Sequence, residues 1–265
     1  MFLALGKNPA QLLGLVVAAL TGPALAQDAE ALLRDADRYR TGADNLRVDT
    51  LVQAYTSDGT LERERRYTVF AQSDRRTLVL MQSAAEKGQK VLMLGDDFWL
   101  LMPSSQRPMR ITPMQKLLGD ASTGDIATMR WSGDYSATLV GLEPCVDATV
   151  PTGAATVIQT TPPTSCYHLQ LQAMRKGVTY QRIALWLGQQ RHEPVRAQLY
   201  VQSDKLAKQA LFEVDQALSS VSAMVLIDPL GKQKQTRIRY LARKERTVPV
   251  EWLNPMFLAR SPVLE

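Results

Sequence analysis

Two histidines, two cysteines and two sets of neighbouring carboxylates are the residues whose types could do chemistry. His168 lies in the run CYHLQ and His192 in QRHEP. Neither has the H-E-x-x-H spacing that puts two imidazoles and a general base on one helix face, and no cysteine cluster accompanies them, so zinc catalysis has no ligand set. Asp96 and Asp97 could share acid and base work. They follow Gly95 between two apolar runs, however, which is the setting of a hairpin turn. Glu62 and Glu64 point to one side of a strand beside arginines, as on a solvated edge. There is no G-x-S-x-G elbow, no P-loop and no G-x-G-x-x-G after a strand. With no nucleophile that can be paired with a base, the residues point away from an enzyme and imply neither a metal nor a cofactor.

Cys145 and Cys166 lack the C-x-x-C spacing of a redox pair. Their setting follows from the start of the chain, where Lys7 precedes the apolar run LLGLVVAAL and then TGPALA. A short apolar core with small residues at Ala24 and Ala26 reads as a secretory signal peptide cleaved after Ala26, too short to span a bilayer. Export to an oxidising compartment makes a Cys145–Cys166 disulfide the expectation. It would tether the Thr-, Pro- and Ala-rich insertion between the cysteines and contribute about 3 kcal/mol by the loop-entropy model.

Residues 27–265 then form a single domain of ample hydrophobicity, 45% over the whole chain. Removing Lys7 takes the net charge from +5 to about +4, too little for nucleic-acid binding without a focused patch. The runs RERR at Arg63 to Arg66 and RKER at Arg243 to Arg246 mix signs and read as solvated faces.

The elements that must position any site are mostly strands. AEALLRDADRYR places Leu32, Leu33, Ala36 and Tyr39 on one helical face. From Leu46 the period becomes two, and short alternating runs separated by polar turns continue through RRYTVFAQ, RTLVLMQS, KVLMLG, DFWLLMP and RPMRIT. Met114, Leu117, Leu118, Ile126 and Met129 have helical spacing interrupted by Gly119 and Gly124, which predicts one or two short helices with a flexible joint. Strands resume from YSATLVGL and run to KQTRIRYLA. Such a series implies a large, strongly curved antiparallel sheet, since a flat one would leave a face and two edges uncovered. Met81, Met93, Met102, Met109, Met114 and Met129 gather in its first half with Phe98, Trp99 and Trp131. An ordinary core explains these residues, and so does an apolar binding cavity enclosed by the curved sheet.

The stretch from Leu92 to Glu143 resembles the signature region of the outer membrane lipoprotein-sorting protein family, relatives of the periplasmic carrier LolA. Trp99, Pro103, Arg110, Ile111, Leu117, Leu118, Gly119, Asp125, Asp134 and Tyr135 carry the resemblance, as do VTYQRIALWL, EPVRAQLY and NPMFLAR further on. Arg110 and Ile111 are adjacent where the family has R-x-I, and the Cys145–Cys166 insertion departs from its shorter connection. The resemblance implies a mainly β fold: an unclosed antiparallel β-barrel of about eleven strands, its concave face covered by a helical lid. It also implies a monomeric periplasmic carrier that binds a lipid or lipoprotein acyl chain and works beside an inner-membrane transporter or permease. The competing expectation is a lipid-responsive sensor or adaptor that contacts a membrane partner. Cavity wall and lid are placed at Leu80, Met93, Trp99, Leu101, Met109, Ile111, Met114, Leu117, Leu118, Ile126, Met129, Trp131 and Trp186, with Gly119 and Gly124 as hinges.

Overall fold

The computed structural model describes residues 22–41, 43–105, 107–145, 163–229 and 234–260, with side chains described from residue 29 on. The apolar leader therefore lies outside the described residues, apart from residues 22–26 at the start of the first helix, and so does the insertion at 146–162.

The helix α1 (Gly22–Arg40) is followed by a meander of β1 (Leu46–Tyr55), β2 (Leu61–Gln72), β3 (Arg76–Met81), β4 (Lys90–Leu94), β5 (Asp97–Leu101) and β6 (Met109–Ile111). A small hairpin, β7 (Lys116–Leu118) and β8 (Ala121–Ser122), leads into the one-turn α2 (Thr123–Ala127). The second meander comprises β9 (Tyr135–Pro144), β10 (Ser165–Ala173), β11 (Arg182–Gly188), β12 (Pro194–Tyr200), β13 (Leu206–Asp215), β14 (Ser220–Ile227) and β15 (Gln235–Glu245). The last element is α3 (Pro255–Ala259).

β1 pairs with β15, so the two meanders fuse into one antiparallel sheet of 13 strands, in the order β6-β5-β4-β3-β2-β1-β15-β14-β13-β12-β11-β10-β9. β6 and β9 remain as edges, and the barrel is unclosed. The sheet has more strands than the eleven expected, because every alternating run became a strand of its own. The pairings from β2 to β6 keep their register. Those of β9 with β10, β11 with β12, β12 with β13 and β13 with β14 each shift once. Such bulges bend a strand and increase its twist, so they add curvature in that half.

Alternation along the strands sorts side chains onto two faces. In the first meander, Ala71, Thr77, Met93, Phe98 and Ile111 form one inward row across the sheet, while Phe70, Leu78, Leu92, Trp99 and Arg110 form the neighbouring outward row. The inner face carries the main core. On it lie Ala29, Leu32, Leu33 and Ala36 of α1, the i, i+3, i+4, i+7 stripe of an amphipathic helix, together with Ile126 and Ala127 of α2. The outward row is covered too. Phe70, Leu78, Leu92 and Leu101 are packed by Val248, Trp252, Leu253, Leu258 and Ala259 of the C-terminal segment, with Phe70 and Trp252 edge-to-face at 5.6 Å. Asn254 caps α3 through the Met256 and Phe257 amides, and Pro255 takes the first turn, where its missing N–H costs nothing.

The stretch from 113 to 131 differs from the expectation of helices. Lys116 to Ser122 forms a hairpin, only Thr123–Ala127 is helical, and Thr128 leaves it in extended conformation. Helical spacing arose here by chance, because a tight turn at Gly119 (φ +54°) reverses the chain between Leu118 and Ile126. Among the described residues no helix is long and apolar enough to cross a membrane.

Candidate functional site: the lidded concave face

The inner face is covered by three pieces: α1, α2 and the segment from Thr128 to Asp134, which ends in a turn at Gly133. Each is fastened by buried polar groups. α2 begins with a capping box, in which the Ser122 and Asp125 side chains bond each other's backbone amides. The Asp125 carboxylate also accepts from Tyr180 Oη at 2.7 Å and from Lys208 Nζ at 2.6 Å, so α2 is pinned to the floor of the sheet at β13. The Lys208 and Asp125 side chains are 6% and 3% exposed, which places a fully desolvated ion pair inside an apolar chamber. Burial, then the charge of Asp125, holds the Tyr180 phenol well above its ordinary range, so it stays protonated and donates. Its backbone carbonyl accepts from Tyr135 Oη at 2.9 Å.

Asp37 performs the same task for α1. Its carboxylate accepts from the Trp131 and Ser132 amides at 2.9 and 2.7 Å and from Ser132 Oγ at 2.6 Å. Burial raises its pKa against the opposing pull of Arg40 and these donors. Arg40 lies 3.9 Å over the Trp131 ring and donates to the Thr128 carbonyl, which ties helix and segment together. Arg75, at the β2–β3 turn, pairs with Asp134 and donates to the Gly95 and Gly177 carbonyls, both at 2.9 Å.

Among the described residues a void of about 40 Å3 lies under this lid, between Arg40, Asp125, Trp131, Tyr180 and Phe212. Sites for small organic ligands run from about 300 to 1,000 Å3. With the lid in place that void is too small for such a ligand. Larger spaces open at the lid's margin on either side of the α1–β1 connection, about 230 Å3 beside Arg75 and Arg130 and about 400 Å3 beside Tyr39 and Tyr240.

Of the residues placed at cavity and lid from the sequence, Met93, Leu118, Ile126, Met129 and Trp131 lie in the inner core, and Ile111 and Leu117 pack against it. The others lie elsewhere. Leu80, Trp99 and Leu101 point outward, under the C-terminal segment. Met109 and Met114 are 45% and 36% exposed. Trp186 also faces outward, beside the Cys145–Cys166 disulfide, with His168 stacked on it at 4.3 Å and Arg196 over its ring at 3.4 Å. Glu143 accepts from Trp186 Nε1 and meets His168 Nδ1. The physical reason is parity. A strand offers alternate faces, and Phe98, one residue from Trp99, is the inward one.

The two glycines are contact points. A Cβ on Gly119 would stand 2.4 Å from Thr236 Oγ1, and one on Gly124 would stand 1.9 Å from Thr179 Oγ1. Phe98, which the sequence grouped with Trp99 and Trp131, completes the chamber with Tyr180, Lys208, Phe212 and Met224, which it did not single out. Lys208 in KLAKQALFEV has a legible signal, since it shares strand parity with apolar Ala210 and Phe212.

A strongly curved, unclosed antiparallel sheet whose apolar inner face is covered by α1, α2 and the 128–134 segment is the LolA-like architecture. A family model, described as that of an uncharacterized protein, matches residues 73–260, and the chain belongs to that family, within the LolA superfamily. A LolA superfamily protein of Nitrosomonas europaea is 26% identical with a TM-score of 0.71, over 85% of this chain and 97% of that one. A Vibrio parahaemolyticus protein described as an outer membrane lipoprotein-sorting protein domain is 15% identical, with a TM-score of 0.64, over 89% of this chain and 100% of that one. A DUF1329 family protein of Desulfovibrio piger is 19% identical, with a TM-score of 0.65, over 87% and 97%. Comparison with curated proteins by sequence finds no match.

Proposed function

We propose that this protein is a carrier without enzymatic activity, which takes the acyl chain of a lipid or lipoprotein into the concave face of its sheet. One observation carries this reading: the side chains that fill the chamber belong in part to α1, α2 and the 128–134 segment, which are fastened to the sheet by a few discrete polar clasps. When they swing aside, the space they vacate is apolar and lined by Phe98, Met93, Phe212 and Met224. Each CH2 buried there would contribute about 0.8 kcal/mol, so even a half-buried chain binds usefully. Reclosure of the lid then drives release.

The signal-peptide pattern and the disulfide support work in the periplasm, with transfer directed to the outer membrane and an inner-membrane exporter as donor or acceptor. The purified protein titrated with a neutral fluorescent hexadecyl probe should show saturable one-to-one binding that unlabelled hexadecanol displaces. Absence of displaceable binding removes the carrier reading. Recovery of the chain with a permease after cross-linking in intact cells tests the exporter.

A further inference from the structure

The larger space at the lid's margin has a chemistry the chamber lacks. This groove of about 400 Å3, within the range of ligand sites, lies between the end of α1, the β13–β14 turn and the end of β15. Its apolar side chains stay exposed to water: Leu218 is 73% and Leu241 44% exposed. Its charged lining is Arg38, Arg243, Lys244 and Glu245. Arg38 is paired with Asp35 at 2.8 Å and Lys244 stands opposite Arg47, on the outer face, so of these cations it is Arg243 that the groove presents on the concave side.

Arg243 is the centre of the groove. The residue opposite it in the register, Val48, belongs to the inner core, so Arg243 stands on the concave side at the mouth of the chamber. Its guanidinium lies 4.7 Å over the Tyr240 ring, and Nη2 donates to the Val221 carbonyl. Its Nε is buried with no hydrogen-bond partner. A buried guanidinium donor left without an acceptor is costly, and an anion supplies what is missing. Burial lowers the arginine's pKa, with Tyr240 opposing that shift and Arg40 adding to it.

We infer that Arg243 binds the anionic headgroup of the amphiphile whose acyl chain enters the chamber. This rests on the carrier reading and narrows its cargo to lipids with a phosphate or carboxylate head. The shared chemistry is a single-headed oxyanion, and a free inorganic anion is the other source of it.

The test compares hexadecyl phosphate, hexadecanol and inorganic phosphate on the purified protein. Hexadecyl phosphate is expected to bind about tenfold tighter than hexadecanol, as a charge-assisted hydrogen bond supports. Arg243→Gln should bring that ratio near one by weakening the phosphate ester alone, with hexadecanol unchanged and reporting an intact chamber. If Arg243→Gln loses its cooperative melt, Arg243→Lys replaces it, and should lower the ratio severalfold because an ammonium keeps the charge but not the guanidinium's planar fork of donors. Equal binding of both amphiphiles to the wild type, or a ratio that neither variant moves, overturns the headgroup site and leaves the carrier standing. Binding of neither overturns both. Inorganic phosphate binding as tightly as the ester, with the same dependence on Arg243, overturns the lipid headgroup in favour of a small-anion site.

Discussion

Lys208 Nζ on β13 and Asp125 Oδ2 on α2 meet at 2.6 Å, both side chains buried, and this contact ties the lid to the floor of the chamber. Removing one partner leaves the other charge uncompensated in an apolar space. Lys208→Met should therefore cost about 3 kcal/mol, the lower end for breaking a buried pair, because Ser122 and Tyr180 still donate to the carboxylate. Denaturant unfolding measures it, and Lys208→Met with Asp125→Asn should recover part of the loss. A single variant within about 0.5 kcal/mol of wild type, the scatter of ordinary surface changes, would remove the pair as a clasp.

Asp37 gives the lid a pH dependence whose sign follows from its environment. Burial raises its folded-state pKa above the ordinary 3.8, so the folded protein holds this proton over a window where the unfolded chain has lost it. Its contribution to stability is full below the unfolded value and is lost as pH rises through the folded one. Asp37→Asn lacks the titration. The stability of wild type relative to Asp37→Asn should thus fall as pH is raised from about 4 towards neutrality. Chemical denaturation of the two proteins across that range tests it, and a difference that stays constant or grows contradicts the raised pKa.

Much of the fold was legible because strand alternation is a local signal. The run from Leu46 to Ala54 and its successors all became strands, and the stripe Leu32, Leu33, Ala36 became the buried face of α1. The site was less legible, because parity says which residues share a face but not which face is concave. In this sheet both faces are apolar at β3 to β5, one under the lid and one under Trp252 and Leu258, so hydrophobicity could not separate Trp99 from Phe98. The turn at Gly119 and the tie from Asp125 to Lys208, 83 residues apart, depend on tertiary packing, which no local pattern records.

Phe98 and Trp99 therefore make a direct test of which face is the container. Phe98 is 2% exposed on the inner face, and Phe98→Ala should cost about 3–5 kcal/mol while changing affinity for a hexadecyl probe. Trp99 is half-buried on the outer face with Arg110 over its ring at 5.2 Å, and Trp99→Ala should cost less and leave probe affinity unaltered. Fluorescence titration and thermal melts of both variants check this. A Trp99→Ala protein that loses the probe while Phe98→Ala keeps it would reverse the two faces.

Gly124 separates a hinge from a packing contact by the sign of one substitution. It lies inside α2 without a left-handed backbone, so if its role were flexibility, alanine would stiffen the helix and stabilise the protein by up to about 1 kcal/mol. The structure instead puts Thr179 Oγ1 1.9 Å and Thr179 Cβ 3.0 Å from where the new Cβ would stand, with the Pro113 carbonyl at 3.1 Å. The methyl has no room unless α2 lifts from the strand connection that carries Thr179 and Tyr180. Gly124→Ala should therefore destabilise by about 1–3 kcal/mol, as overpacking does. Thr179→Ala in the same chain removes the nearest atom and should restore part of the loss. Because the displaced helix also carries Asp125, the single variant should bind the hexadecyl probe faster than wild type in stopped-flow mixing. A Gly124→Ala protein that is more stable than wild type and binds the probe more slowly would make the glycine a hinge.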